Sequence, residues 1–207
     1  MSSNIFKKTK KGVKFIGNFE KYYRNNDDYW NQDLTTPHLK EEYLYSRNQI
    51  LHHLSQINFN SLMDIGCGNG FFTSHIFKKF PKKKISGCDI SNTAVKQANN
   101  KYGDTIYFKK FNINVKKLEY QYDVILLNQV LYYIIEDYDA SFKNIINSTK
   151  KYILISVFMN KNHTYGDEKF RKVDLFIEYI EKLNLKILDQ SSKLINENNC
   201  HNILVSI

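Results

Sequence analysis

The chain has 207 residues, the size of one domain with an extension, and its formal net charge is +9. Hydrophobic residues make up 42% and charged residues 25%, which excludes an extensively disordered chain. No apolar run approaches the length of a bilayer span, and the lysines of the first twelve residues precede no apolar stretch of the kind found in secretory signals. We therefore expect a cytoplasmic protein without a membrane span.

The cysteines do not indicate a disulfide framework or a zinc site. Cys67, Cys88 and Cys200 show no C-x-x-C pairing, a pattern typical of reduced thiols. His52 and His53 are adjacent, so they point to different sides of a predicted helix and do not form a ligand pair. The sequence therefore predicts a protein without a bound metal.

The excess of positive charge comes almost entirely from lysine. Of 30 basic residues only three are arginines, at positions 24, 47 and 171. Proteins that recognise RNA usually recruit arginine for phosphate binding and base stacking. The composition disfavours a nucleic-acid partner without excluding one.

Residues 1–35 are polar and lysine-rich with interleaved aromatic residues, and they predict an N-terminal arm or lid ahead of a domain at residues 36–207. Tyr22, Tyr23 and Trp30 could cover a bound sugar or amine, because aromatic faces stack on sugar rings and attract cations. The alternative is a hydrophobic staple that only holds the arm to the core.

Apolar residues at helical spacing predict a helix between Leu39 and Leu54, and Arg47 lies on its apolar stripe. A cation in such a position needs a partner. The carboxylate of a ligand is one expected partner, because a guanidinium binds carboxylate through two parallel bonds. A salt bridge with a protein acid, or extension of the side chain to the surface, is the alternative.

From residue 61 onward, short apolar strands alternate with helices. The predicted strands are residues 62–65, 84–89, 105–111, 122–127, 152–158, 185–188 and 203–207, and the predicted helices are residues 71–80, 91–100, 140–148 and 169–183. Alternation of this kind implies right-handed crossovers and a mainly parallel sheet. The predicted class is α/β: a Rossmann-like, seven-stranded, mainly parallel sheet with helices on both faces and an N-terminal helical arm.

Three of the eight glycines fall within residues 64–70, which read Asp-Ile-Gly-Cys-Gly-Asn-Gly between a predicted strand and a predicted helix. Glycine at such a junction permits a tight turn and lets a ligand lie against the backbone. Asp89 ends the next predicted strand, where a carboxylate can accept hydrogen bonds from both hydroxyls of a ribose. The joint spacing predicts a nucleoside site. The alternative is a tight structural turn with a capping aspartate.

Residues 64–70, together with Gly-Cys-Asp-Ile-Ser at 87–91, resemble class I S-adenosylmethionine-dependent methyltransferases, and the resemblance covers roughly residues 36–160. Residues 122–134 resemble that family's fourth strand and the segment after it. Their Val-Leu-Tyr-Tyr run is most similar to nodulation-type N-methyltransferases, which methylate an amine of a chitin-derived oligosaccharide. The resemblance implies S-adenosylmethionine as cofactor, S-adenosylhomocysteine as product and no metal.

The resemblance also implies roles for residues at the ends of the predicted strands. The implied cofactor-binding residues are Arg47, Asp64, Gly66, Cys67, Gly68, Asp89, Ile90, Asn112, Ile113 and Asn128. Asp89 would hold the ribose and Ile90 would pack on the adenine. Asn112 stands where the family usually has Asp or Glu, so its amide oxygen would accept from the adenine amino group. Asn128 would lie near the reacting methyl.

Methyl transfer from a sulfonium is an in-line displacement that positioning and desolvation accelerate. The acceptor must still lose a proton. His163, in the loop after the fifth strand, is the candidate base, and the alternative is an ordinary loop histidine. Tyr132 and Tyr133 follow strand four and could bond the acceptor or shape its pocket, with simple aromatic packing as the alternative.

The expected function is S-adenosylmethionine-dependent transfer of a methyl group to nitrogen or oxygen of a small molecule, with a sugar or sugar conjugate as the acceptor. An RNA or protein methyltransferase is the alternative, which the net charge of +9 favours slightly. Asp64, Gly66, Gly68 and Asp89 are all intact, which argues against a binding protein without activity. The oligomeric state is left open.

Overall fold

A computed structural model of the chain describes residues 6–9, 12–15, 17–24, 30, 37–134, 138–159, 172–195 and 198–207. Its strands are β1 (Phe6–Thr9), β2 (Gly12–Phe15), β3 (Ser61–Ile65), β4 (Lys84–Asp89), β5 (Tyr107–Lys110), β6 (Tyr122–Asn128), β7 (Thr149–Met159), β8 (Lys186–Ile195) and β9 (Asn198–Ser206). Its helices are α1 (Phe19–Arg24), α2 (Pro37–Gln56), α3 (Phe71–Lys79), α4 (Asn92–Tyr102), α5 (Tyr138–Asn147) and α6 (Val173–Lys182), with a 3-10 turn at Leu131–Tyr133.

Seven strands form one sheet in the order β5-β4-β3-β6-β7-β9-β8. The pairs among β3 to β7 are parallel, whereas β9 runs antiparallel to both of its neighbours. Parallel neighbours require crossover connections, which α3, α4 and α5 supply. The predicted seven-stranded, mainly parallel α/β sheet is confirmed.

The central strand β6 shows why its sequence is continuously apolar. Ile125 packs in a cluster with Phe142 of α5 and Phe176 of α6. Its neighbour Leu126 packs in a second cluster with Ile50 of α2 and residues of α3. Successive side chains of a strand point to opposite faces, so both faces of β6 are covered by helices.

The ends of the chain differ most from the sequence-based expectation. Strands β8 and β9 are longer than predicted, because the middle of β8 is polar and carries no apolar alternation. This strand lies at the edge of the sheet, where its side chains are mostly exposed. The predicted arm contains an antiparallel hairpin, β1–β2, as well as the short helix α1.

The parallel strands bring three predicted site residues to the same edge of the sheet. β3 ends at Ile65, β4 at Asp89 and β6 at Asn128, and β3 lies between the other two. In sheets of this type ligands bind outside the carboxyl ends of the strands. Within the described ranges, every helix is too short or too polar to cross a bilayer.

Candidate functional site

A cavity lies at the carboxyl ends of β3, β4 and β6. Its empty volume is about 1120 Å³, including the part open to solvent. Polar, charged and aromatic side chains line it. The lining residues are Phe19, Tyr23, Trp30, Tyr43, Arg47, Asp64, Ile65, Gly66, Cys67, Phe72, Asp89, Ile90, Phe111, Asn112, Ile113, Asn114, Asn128, Gln129, Val130, Tyr133 and Ile134.

The glycine turn, residues 64–70, joins β3 to α3 and forms the floor of the cavity. The amides of Gly66 and Cys67 both donate to the carbonyl of Cys88, at 2.8 and 3.0 Å, which fixes the turn against β4. Gly66 has a φ of 75°, and a Cβ on it would lie 2.6 Å from Cγ2 of Val130. Glycine is therefore required at position 66 both by the backbone conformation and by the space available.

Asp64 is buried beneath this turn and is 3% exposed. The hydroxyl of Thr73 donates to its Oδ2 at 2.6 Å, which ties the end of β3 to the first turn of α3. Burial raises the pKa of Asp64 to about 7, and the bond from Thr73 and the charge of Arg47 only partly oppose that rise. The carboxyl group can therefore change its ionisation when a charged ligand enters the cavity.

Asp89 is held by the backbone on both of its oxygens. The amide of Gly68 donates to Oδ2 at 2.9 Å, and the amide of Ser91 donates to Oδ1 at 2.8 Å. Burial raises the pKa of Asp89 to about 6, against the lowering effect of these two bonds. An ionised carboxylate offers about four lone-pair sites, so two backbone bonds leave capacity for the hydroxyls of a ligand.

Arg47 is buried, with only 5% of its surface exposed, and it lines the same cavity as Asp64. Its guanidinium carbon lies 5.6 Å from the ring centre of Tyr43 and 5.4 Å from those of Phe71 and Phe72. The faces of aromatic rings attract a cation, which partly offsets the free energy of burying the charge. This arrangement presents a positive group to the cavity, where a carboxylate of a ligand could bind.

The end of β6 is held by a group of hydrogen bonds to α2 and β7. The hydroxyl of Ser46 donates to Oδ1 of Asn128 at 3.3 Å. Gln129 donates from Nε2 to Oγ of Ser156 and accepts at Oε1 from the amide of Phe158, both at 3.1 Å. Gln129 has a φ of 58°, a conformation that non-glycine residues adopt rarely and that these bonds maintain.

Four rings from the arm and from the 3-10 turn line one side of the cavity. This aromatic wall consists of Phe19, Tyr23, Trp30 and Tyr133. Tyr133 contacts Phe19 with ring centres 5.2 Å apart and Trp30 at 5.7 Å. Tyr22 does not line the cavity, because its ring packs behind Trp30 at 4.8 Å and is 2% exposed. Burial also raises the pKa of Tyr23 well above its usual value, so its hydroxyl stays neutral.

The structure brings most of the predicted site residues together. Every predicted cofactor residue except Gly68 lines the cavity, as do Tyr23, Trp30 and Tyr133. Gly68 is absent from the lining, and it contributes through the hydrogen bond from its amide to Asp89. The side chain of Tyr132 and all of His163 lie outside the described residues, so the predicted base stays a prediction.

The oxygen of Asn112, predicted to bond adenine, also accepts from the amide of Asn114 at 3.0 Å within its own loop. Sequence reasoning did not select Tyr43, Phe111 or Gln129, all of which line the cavity. Tyr43 could have been found, because it lies four residues before Arg47 on the same helical stripe. Nothing in the sequence around Gln129 indicates its backbone conformation.

In the described part of the chain, no three His, Cys, Asp or Glu side chains are close enough together to hold a metal ion. Cys67, Cys88 and Cys200 are buried free thiols. The adjacent histidines differ: His52 is exposed, whereas His53 is 1% exposed with Nε2 3.2 Å from Oδ2 of Asp189.

A family described as a methyltransferase domain matches residues 63–151. A segment of this chain is therefore similar to methyltransferase domains. The matched segment runs from β3 into β7 and includes the glycine turn, Asp89 and Asn128. Among curated proteins, the chain is 29% identical over 163 residues to malonyl-[acyl-carrier protein] O-methyltransferase 1 of Ilyobacter polytropus, covering 76% of this chain and 59% of that protein. A malonyl-[acyl-carrier protein] O-methyltransferase of Priestia megaterium is 34% identical over 85 residues, covering 39% of this chain and 31% of that protein.

Solved structures show the same fold. Magnesium protoporphyrin IX methyltransferase of Synechocystis, with bound S-adenosylhomocysteine, matches 91% of this chain and 97% of its own with a TM-score of 0.71 and 15% identity. The N-methyltransferase NodS of Bradyrhizobium japonicum, also with S-adenosylhomocysteine, matches 91% of this chain and 96% of its own, with a TM-score of 0.68 and 18% identity. The resemblance of this chain to class I S-adenosylmethionine-dependent methyltransferases is confirmed, and the N-methyltransferase NodS is among the similar structures.

The chain spans less than two thirds of the length of the two curated relatives described, 59% of one and 31% of the other. Their names give a malonyl group on an acyl-carrier protein as the acceptor. The likeness to the solved structures, at 15% and 18% identity, is one of fold.

Proposed function

We propose that the chain binds S-adenosylmethionine and moves its methyl group to nitrogen or oxygen of a small molecule, a sugar or sugar conjugate. The observation that carries this proposal is a cavity lined both by the glycine turn, Asp89 and Arg47 and by the aromatic wall. The first group of residues suits a nucleoside joined to an amino acid. The second group offers a surface for an acceptor.

The residues of the cavity fit the chemical groups of this cofactor. Asp89 keeps free lone pairs for the ribose hydroxyls, and the buried Arg47 suits the carboxylate of the methionine part. The absence of a side chain at Gly66 lets the backbone approach the ligand closely. Ile90, which is 41% exposed at the cavity, would gain burial by covering the adenine.

The bound cofactor supplies an electrophilic methyl group on its sulfonium. The chain's own residues would orient the partners: Asn128 stands at the end of β6, and Tyr133 lines the same cavity. Because the arm supplies Phe19, Tyr23 and Trp30, we propose that residues 1–35 cover the acceptor and exclude water during transfer. His163 is proposed as the base that removes the proton from the acceptor.

The choice of a sugar rests on the aromatic wall. Rings bind the faces of sugars and small amines, whereas a phosphate backbone needs a continuous basic groove. Among the described residues that line the cavity, Arg47 is the one with a cationic side chain, and it lies with Asp64 on the polar side. This favours a small neutral or amine-bearing acceptor over RNA.

A second candidate function is methylation of a carboxylate, as in a malonyl group carried by an acyl-carrier protein. The observation that favours it is the name of the curated relatives, which match 76% of this chain in one case and 39% in another. Such a reaction would need no base, because a carboxylate is already ionised at neutral pH. This candidate therefore predicts activity that does not depend on His163.

One assay separates the candidates. The protein would be incubated with S-adenosylmethionine labelled in its methyl group and with, in turn, a chitooligosaccharide bearing a free amine, a malonyl-carrier protein and total RNA. We expect label on the oligosaccharide that survives mild alkali, because N-methyl groups are stable there. Label on the malonyl group that alkali releases as methanol would support the second candidate, and label on RNA would support the alternative of an RNA methyltransferase. An Asp89→Ala variant, in which cofactor binding is weakened, serves as the control and should transfer less label to any acceptor.

A further inference from the structure

Glu20 of α1 binds the first turn of α4. Its Oε2 accepts from the hydroxyl of Ser91 at 2.9 Å and from the amide of Thr93 at 3.2 Å, and its Oε1 accepts from the hydroxyl of Thr93 at 2.7 Å. The amino end of a helix carries free amides and a partial positive charge, which favour an anion. A carboxylate from the arm therefore caps a helix of the core.

Glu20 stays ionised at this position. Burial by itself would raise its pKa, but the hydrogen bonds from Thr93 and Ser91 lower the pKa to about 2. Two charged groups lie near Glu20: Asp89, whose pKa the negative charge of Glu20 raises, and Arg24 of the same helix, with Nε 3.3 Å from Oε1. The pair with Arg24 is exposed and four residues apart in sequence, so it contributes little.

The contact is continuous with the cofactor side of the cavity. Ser91, which donates to Glu20, also donates from its amide to Asp89, and Asp89 accepts from the amide of Gly68. A second bond joins the same two helices, from Nε2 of Gln97 to the carbonyl of Tyr23 at 3.4 Å. Hydrogen bonds thus run from the glycine turn through Asp89 and Ser91 to the arm.

Glu20 lies between two residues of the aromatic wall in α1, since Phe19 precedes it and Tyr23 follows three positions later. We propose that Glu20 is a positioning residue that docks α1 onto α4, so that closure of the aromatic wall and binding of the cofactor at Asp89 favour each other. This inference rests on the proposed binding of S-adenosylmethionine. A ligand that binds the docked state more tightly shifts the arm toward that state, and loss of the docking contact weakens the ligand by the same coupling.

The test measures binding of S-adenosylhomocysteine by calorimetry together with the fluorescence of Trp30, the only tryptophan of the sequence. Glu20→Gln keeps the shape of the side chain and removes its charge, and Thr93→Val removes the hydroxyl donor. We expect each to weaken binding about fivefold to tenfold and to reduce the change in Trp30 emission on binding. Thr93→Ser, which keeps a hydroxyl, restores most of the affinity.

The matched control is Arg24→Ala, which removes the positively charged neighbour of Glu20 in the same helix. We expect its affinity and its fluorescence change to stay within twofold of the unmodified protein. The double variant Glu20→Gln/Thr93→Val should lose little more than Glu20→Gln alone, because the hydroxyl of Thr93 acts through its bond to Glu20.

Unchanged affinity and an unchanged Trp30 signal in Glu20→Gln would overturn the inference. So would equal losses in Arg24→Ala and Glu20→Gln, since they would indicate a general disturbance of the arm. The thermal midpoints of the ligand-free variants identify a folding defect, and a fall that accounts for the lost affinity would also count against a positioning role. If the unmodified protein itself does not bind S-adenosylhomocysteine, the proposed function fails first.

Discussion

The glycine-turn side of the cavity is built from consecutive residues of two neighbouring strands and is fixed by backbone hydrogen bonds, such as those from Gly66 and Cys67 to Cys88. The aromatic wall is assembled from rings that are distant in the sequence, Phe19 and Trp30 of the arm and Tyr133 of the 3-10 turn, and these contact one another edge to face or tilted. Backbone hydrogen bonds hold the glycine turn in one conformation, whereas aromatic rings can pack against one another in more than one orientation. We infer that the first side determines the cofactor and the second side adapts to the acceptor.

The largest effect is expected at Arg47. Arg47→Met retains the bulk of the side chain and removes the charge-assisted bonds to a ligand carboxylate, which are worth about 1.5–3 kcal/mol. Affinity for S-adenosylhomocysteine should fall about tenfold to a hundredfold in calorimetry, while adenosine, which has no carboxylate, binds nearly as before. An equal loss for both ligands would mean that Arg47 supports the fold through Tyr43, Phe71 and Phe72.

A substitution at Asp89 tests the proposed ribose site. Asp89→Asn should weaken S-adenosylhomocysteine and adenosine together by about 1–3 kcal/mol, because the ribose hydroxyls lose an ionised acceptor. Isothermal titration of both ligands measures this. Normal binding by the variant would remove Asp89 from the ribose site and leave it a structural bond to Gly68 and Ser91.

Lowering the pH should protonate the carboxylate of Asp89 and so weaken the same binding. Burial raises the pKa of Asp89 to about 6, so the carboxylate that accepts from the ribose is lost as the pH falls through that value. Binding of adenosine should be constant well above pH 6 and about tenfold weaker at pH 5, one unit below that pKa. Titrations between pH 5 and pH 8 check this, and Asp89→Asn should show no such dependence.

Gly66→Ala tests how rigid the glycine turn is. The added Cβ would lie 2.6 Å from Val130, and alanine is strained at the φ of 75° that Gly66 adopts. The free energy of unfolding should therefore fall by about 2 kcal/mol. Denaturant unfolding measures this free energy. Adding Val130→Ala should restore the part due to the steric clash and leave the part due to the backbone, and full stability of Gly66→Ala would show that the turn adapts as the wall does.

The smallest effect is expected in the aromatic wall. Tyr133→Leu removes ring contacts with Phe19 and Trp30, which are worth about 0.5–1.5 kcal/mol, so kcat on the acceptor found in the methyl-transfer assay should fall a few-fold. Affinity for S-adenosylhomocysteine should fall by a smaller factor than kcat, because closure of the aromatic wall favours cofactor binding only through the coupling. Tyr133→Phe keeps the ring, and a fall in its kcat equal to that of Tyr133→Leu would assign the role to the hydroxyl.

The cofactor side could be predicted from the sequence because its signals are local. The spacing of glycines in residues 64–70 and the position of Asp89 at the end of the next predicted strand together predict a nucleoside site. Arg47 was found for a similar reason, since a cation on an apolar stripe conflicts with its surroundings. These residues depend on chain neighbours or on helical periodicity, both of which a sequence displays directly.

Other parts of the site could not be predicted, because they depend on elements far apart in the chain. The capping of α4 by Glu20 joins positions more than seventy residues apart. The left-handed backbone at Gln129 is maintained by Ser156 and Phe158 of β7, and no residue type near position 129 indicates it. The predicted arm was recognised by its composition, but not the hairpin β1–β2 within it.

By itself, the sequence determined the α/β class, the mainly parallel sheet, the glycine turn and the carboxylates beside it, because periodicity and glycine spacing follow from backbone geometry. Only the tertiary structure decided which rings form the aromatic wall, that Tyr22 packs behind it, and that Glu20 caps α4. The physical reason is that these contacts depend on how separate elements dock, and docking is set by the summed packing of the core, which no short stretch of residues encodes.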